Sequence, residues 1–111
     1  MNYAKILLLV LPLFCTAQKY KSGISIVQAS AEFLQEKNLE IKKLKDASTF
    51  NFDISKQVDF FDKYKVEFLP TVILFNDGEE VKRWQANIML ELDCKLEDLQ
   101  KEINKLIEDK F

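Results

Sequence analysis

Cys15 and Cys94 are the only two thiols in this sequence of 111 residues, and a thiolate is the strongest nucleophile its composition offers. Two thiols held together could run thiol–disulfide exchange, one attacking a substrate disulfide and the other resolving the mixed disulfide. There is no His, which excludes imidazole acid/base catalysis and His-ligated metal sites. Two Cys can build neither a four-thiolate zinc site nor a disulfide framework. The carboxylates Asp53, Asp59, Asp62 and Asp77 lack the alternating acids and central Gly of an EF-hand loop, and helix caps and solvated faces account for them better. Gly23 and Gly78 are the only glycines and lie too far apart for a phosphate loop or a dinucleotide fingerprint. The net charge is −2 and no dense Lys/Arg block is present, so no nucleic-acid partner is expected, and no metal or cofactor either.

The positions of the two cysteines separate them further. Residues 1–17 read MNYAKILLLVLPLFCTA: one Lys, an apolar run from Ile6 to Phe14, then the small-residue stretch Cys15-Thr16-Ala17. This is the order of a secretory signal peptide cut after Ala17. The run is too short for a good membrane span, so none is expected in the mature form. Phe14 stands where a lipoprotein signal wants a small residue, which argues against a lipid on Cys15. The expected organisation is a signal peptide over 1–17 and one domain over 18–111, with Cys94 its sole thiol.

Seven elements must place whatever site that domain carries. Residues 18–23 read as a loose lead-in. Ile24 to Ala29 is a short β-branched strand. Ala31 to Lys45 suits a helix, with Phe33, Leu34, Ile41 and Leu44 within about 100° of one face. Thr49 to Ile54 alternates, with Phe50, Phe52 and Ile54 on one side. Ser55 would cap a short helix to Tyr64 with Val58, Phe61 and Tyr64 inward; Phe60 and Phe61 cannot share a face, so one of them is expected partly exposed. Thr71 to Phe75 is a continuous apolar run, as in a strand covered on both faces. Asp77-Gly78 forms a tight hairpin turn into a strand over Glu80 to Ile88, where alternation puts Trp84 in the core. A last helix from Asp93 carries the stripe Leu96, Leu99, Ile103, Leu106 and Ile107, with Glu97 and Lys101 as an i,i+4 pair. The fold class is α/β, β-α-β-α-β-β-α: a four-stranded mixed sheet with helices on both faces. Helical crossovers would make the first three strands parallel if directly placed in one sheet.

This order, and the segment Tyr64-Lys65-Val66-Glu67-Phe68-Leu69-Pro70-Thr71-Val72-Ile73-Leu74-Phe75-Asn76-Asp77-Gly78, resemble the thioredoxin family, whose stretch is Tyr-x-Val-x-x-x-Pro-Thr-x-x-x-Phe-x-x-Gly. The likeness is closest to small exported thioredoxin-like proteins of the Bacteroidota. It implies a minimal thioredoxin-like fold, a cis Pro70, and a peptide-binding surface at Leu69, Pro70 and Thr71. The family's Cys-x-x-Cys, however, falls on Leu34 and Lys37, its preceding Trp on Phe33, and its buried Asp on Gln28. Leu cannot attack a disulfide and Lys cannot resolve one.

Three readings follow. The first is a non-catalytic thioredoxin-fold protein of the Gram-negative cell envelope, periplasmic or secreted, binding peptide or protein partners. The second is a redox role through Cys94, as a monothiol or a disulfide-linked dimer; Asp93, Glu91 and Glu97 oppose a thiolate there. The third is an assembly module whose acidic surface meets a basic partner.

Overall fold

The computed structural model describes residues 19–110; the leader expected over 1–17, with Cys15, lies outside the described residues. Four strands form one sheet: β1 (Ile24–Ser30), β2 (Ser48–Asp53), β3 (Thr71–Asn76) and β4 (Glu79–Gln85). Two α-helices accompany them, α1 (Val58–Lys63) and α2 (Leu96–Lys110). The sheet order is β2-β1-β3-β4.

β1 and β2 are parallel, but β3 runs antiparallel to β1, against the expectation of three parallel strands. The register gives the reason. Asp53 ends β2 beside Ser30, and Thr71 begins β3 beside Ala29, so the connection leaves and re-enters the sheet at the same end. A helix of six residues spans about 9 Å, short of the roughly 20 Å needed to carry the chain back along a strand. β4 is antiparallel to β3 through the Asp77-Gly78 turn, whose two residues have φ of 52° and 85°, and the ladder carries a bulge at Leu74/Phe75.

Alternation along β1 and β3 divides the core. Ile26, Val72 and Leu74 face α2 and are covered by Leu99 and Ile103, with Ile41, Leu44 and Cys94. Trp84, Leu96, Leu106 and Ile107 pack at the margin of that layer. Val27, Ala29, Ile73 and Phe75 face α1 and meet Phe60 and Phe61. Both Phe60 and Phe61 are buried, contrary to expectation, because the lead-in is not loose. It forms a 3-10 turn (Lys19–Lys21) that brings the Tyr20 ring 5.5 Å from Phe60, whose outer side is closed by Phe52 at 4.9 Å and Tyr64 at 4.7 Å. Gly23 anchors this segment: its N–H donates to the Asp77 carboxylate and its carbonyl accepts from the Asp77 N–H, both at 2.8 Å.

Several boundaries differ for identifiable reasons. α1 starts at Val58 rather than after Ser55: the Lys56 and Gln57 N–H groups donate to the Asp53 carbonyl in a turn that Ser55 tightens by donating its N–H and hydroxyl to the Asp53 carboxylate. Val58 is exposed. β4 stops at Gln85, short of Ile88, where the Asn87 side chain accepts the N–H groups of Met89 and Glu91 and turns the chain. α2 begins at Leu96, after the Lys95 N–H donates to the Asp98 carboxylate. Its ion pairs join Glu102 to Lys82 and Lys105, not Glu97 to Lys101.

The largest departure is the helix expected over Ala31–Lys45. Two 3-10 segments, Glu32–Lys37 and Ile41–Lys43, stand there, broken by extended backbone at Asn38. Leu34, Ile41 and Leu44 are buried as the periodicity required, but Phe33 is 76% exposed.

Candidate functional site

One end of the sheet gathers most of the sequence positions singled out as functional. Ser30 and Asp53 end β1 and β2 there, Thr71 begins β3, and Gln85, paired with Thr71, ends β4. The loops leaving this end are residues 31–47, 54–70 and 86–95.

The Leu69–Pro70 peptide bond is cis. Pro70 is fully buried, and its carbonyl accepts the Ala86 N–H at 3.0 Å. Thr71 is also fully buried, and its hydroxyl donates to the Phe68 carbonyl. Leu69 differs from both. Its side chain is half-buried against the aromatic layer, and among the described residues neither its N–H nor its carbonyl has a hydrogen-bond partner. Of the three candidate binding residues, Leu69 therefore presents main-chain groups, while Pro70 and Thr71 hold it in place.

The three positions to which the family likeness would assign redox chemistry are Leu34, Lys37 and Gln28. Leu34 is buried and Lys37 exposed, one 3-10 turn apart. Gln28 is 1% exposed and fully engaged. Its Oε1 accepts the Leu39 N–H at 2.8 Å, and its Nε2 donates to the Leu39 carbonyl at 3.0 Å and to Asn51 Oδ1 at 2.8 Å. Beside it the Ser30 hydroxyl donates to Asn38 Oδ1. A carboxamide can hold both polar groups of a main-chain residue at once; a carboxylate has only acceptors and could not. A carboxamide at this position has no titratable proton at neutral pH.

Cys94 lies in the α2-side core layer with Ile41, Leu44, Leu99 and Ile103, 6% exposed. Burial, then the nearby Asp98 and Asp93 carboxylates, push its thiol up to about 11. It precedes the first turn of α2, so the helix terminus that might have lowered it is outweighed. Of the acids the sequence pointed to, Asp93 acts on the thiol, and Asp98 does so in place of Glu97 and Glu91.

Sequence reasoning missed an apolar rim. Phe33, Ile54, Phe68, Ile88 and Met89 are exposed, and each belongs to a loop leaving this same end of the sheet. Phe33 is expected inward on a helix that does not form there, and the strand expected to reach Ile88 stops at Gln85. Asn87 immediately before Ile88-Met89 was the available signal, since Asn before a strand's final apolar residues favours a turn. Single exposed apolar residues are ordinary; these five share the end of the sheet from which their loops leave.

Among the described residues no group of three or more His, Cys, Asp or Glu could hold a metal ion, and no helix is long and apolar enough to cross a membrane.

No protein-family model matches this chain, and no curated protein matches it. Solved structures do. A thioredoxin from Halobacterium salinarum, carrying an N-to-Q substitution, aligns over 76% of this chain and 74% of its own with a TM-score of 0.59 and 20% identity. Thioredoxin-2 of the malaria parasite, described as a component of its protein secretion machinery, aligns over 75% and 82% with a TM-score of 0.61 and 21% identity. The Drosophila germline-specific thioredoxin Deadhead aligns over 76% and 81% with a TM-score of 0.56 and 14% identity. The chain is thus similar to thioredoxins in fold.

Proposed function

We propose that this thioredoxin-fold chain is a non-catalytic protein of the bacterial cell envelope that holds an extended apolar segment of a partner protein against Leu69. The observation that carries the reading is the pair of main-chain groups on Leu69 without a partner among the described residues, at the end of the sheet whose loops expose Phe33, Ile54, Phe68, Ile88 and Met89. An extended peptide laid beside Leu69 would satisfy both groups as an added strand does, and its side chains would meet the apolar rim. The replacement of both thiol positions by Leu34 and Lys37, and of the acid by Gln28, supports binding without turnover. The burial of Cys94, with a thiol held near 11, argues against the alternative redox role and against a disulfide-linked dimer through it. Export rests on the order of charge, apolar run and small residues in 1–17.

The test is binding of a fluorescent, unstructured apolar peptide, followed by anisotropy, to the protein lacking residues 1–17. Saturable binding that Ile88→Ser and Phe33→Ser each weaken by about 3- to 10-fold is expected, as for a lost apolar contact. Binding unaffected by both substitutions, or catalytic reduction of insulin above a reductant-only control, would overturn the reading.

A further inference from the structure

We propose that the outer edge of β2 pairs with the same edge of a second copy of this chain, antiparallel and centred on Phe50, to form a continuous eight-stranded sheet. This surface lies on the lateral edge, apart from the Leu69 rim, and does not depend on the function proposed above.

The two edges of the sheet are built differently. β4 carries Glu79, Glu80, Lys82 and Arg83 and a bulge opposite it at Leu74/Phe75, devices that discourage strand addition. β2 reads Ser-Thr-Phe-Asn-Phe-Asp, with one charge, at its end, and neither Pro nor a bulge in its pairing with β1. Among the described residues it is an edge strand whose outer side carries none of these devices.

The hydrogen bonds say which groups are open. The Ile54 N–H donates to the Ser30 carbonyl, so Ile54 and the residues two and four before it, Phe52 and Phe50, point their main-chain groups at β1. Thr49, Asn51 and Asp53 therefore point outward. Asp53 is already satisfied: its N–H donates to Gln57 Oε1 at 2.7 Å, and its carbonyl accepts the Lys56 and Gln57 N–H groups. Thr49 and Asn51 have no main-chain partner on that side among the described residues. What remains open is one N–H and one carbonyl on each of two residues flanking Phe50.

Such a set is self-complementary. A two-fold axis through Phe50, normal to the sheet, sets Thr49 of each copy opposite Asn51 of the other. Each of those two pairs exchanges two bonds, as directly opposed residues do in an antiparallel ladder, and the four open groups of each copy are then all used. Shifting the centre to Asn51 would instead set Thr49 against Asp53, whose groups are taken by Gln57 and Lys56. The axis places Phe50 opposite its own copy at the close, non-bonded spacing, extending the band of half-exposed Phe50 and Phe52 rings across the junction. It also sets the Lys45-Asp46 end of one copy beside the Asp53-Lys56 end of the other, each with one acid and one base. The interface is isologous and closes at two copies.

The experiment is sedimentation velocity of the protein lacking residues 1–17 across the micromolar range, with amide hydrogen exchange on the same samples. A concentration-dependent dimer is expected, in which exchange at Thr49 and Asn51 slows with concentration while the already bonded Phe50 and Phe52 amides do not change. Thr49→Pro, accepted at an edge residue whose N–H faces solvent, removes two of the four new bonds and raises the dimer dissociation constant about tenfold or more. In a Cys94→Ser background, Phe50→Cys is expected to cross-link under diamide, while Ser48→Cys, displaced from the axis, is not. A monomer at all concentrations, a dimer whose Thr49 and Asn51 amides exchange unchanged, or equal cross-linking at 48 and 50 would overturn the proposal.

Discussion

The Gln28 carboxamide grips both main-chain groups of Leu39, accepting its N–H at 2.8 Å and donating to its carbonyl at 3.0 Å. A side chain on the central strand β1 thus does for a loop residue what a neighbouring strand would do. The contact interrupts the helix that the residues 31–45 would otherwise form, and it fixes where Leu34 and Lys37 stand. Its second Nε2 hydrogen goes to Asn51 on β2, so one amide joins the loop, β1 and β2.

Gln28→Leu is expected to lower stability by about 2–4 kcal/mol, since it leaves the Leu39 groups and Asn51 Oδ1 without their partner in a mostly buried place. Gln28→Asp, the residue thioredoxins carry there, should destabilise comparably, because a carboxylate cannot donate to the Leu39 carbonyl. Urea denaturation of both variants measures this; a loss below about 0.5 kcal/mol for Gln28→Leu contradicts it.

Phe60 and Phe61 should prove equally sensitive. Both are buried, Phe60 among Tyr20, Phe52 and Tyr64, so replacement of either by Ala is expected to cost about 3–5 kcal/mol. If one of the two were surface-exposed, its Ala variant would melt within a degree or two of the parent.

Alkaline pH should unfold this protein earlier than its acidic composition suggests. The Cys94 thiol is raised from 9.0 to about 11, chiefly by burial and then by Asp98 and Asp93. Burial, then the Tyr64 hydroxyl, raises Tyr20 from 10.0 to about 12. In both cases the folded state binds the proton more tightly than the unfolded one. The associated stability is complete below the unfolded values and is lost as pH climbs through the window from about 9 to about 12. Denaturation midpoints at stepped pH should be level below that window and fall within it. Cys94→Ala should remove the lower part of the decline and Tyr20→Phe the upper part.

Cys94 should be chemically quiet. Alkylation by iodoacetamide at neutral pH is expected to run at least about 100-fold slower than for an exposed peptide thiol, given the shift and the burial together. Labelling at the rate of a free thiol in the native protein would refute the placement of Cys94 in the core.

Surface substitutions at the rim separate binding from folding. Ile88 is 85% exposed, so Ile88→Ser should leave stability within about 0.5 kcal/mol while weakening peptide binding. Thermal melts and anisotropy on the same sample distinguish the two effects.

The sequence by itself determined the four strands within a few residues, the Asp77-Gly78 turn, the apolar stripe of α2 and the lack of any Cys between Thr16 and Asp93. These are local matters: period-two and 3.6-residue patterns, positive-φ residue types, and the presence or absence of a sulfur atom. It also supported the thioredoxin likeness, because the segment around Pro70 carries its letters contiguously. The tertiary structure alone decided the rest. The direction of β3 depended on which end of the sheet the α1 connection re-enters, which no periodicity encodes. The break of the expected helix at Asn38 depended on Gln28, eleven residues from Leu39. Phe60 was buried by Tyr20, a residue far before it in the chain. The exposed residues were hidden for the same reason: Phe33, Ile54, Phe68, Ile88 and Met89 are scattered along the sequence, and only the tertiary structure shows that their loops leave the same end of the sheet.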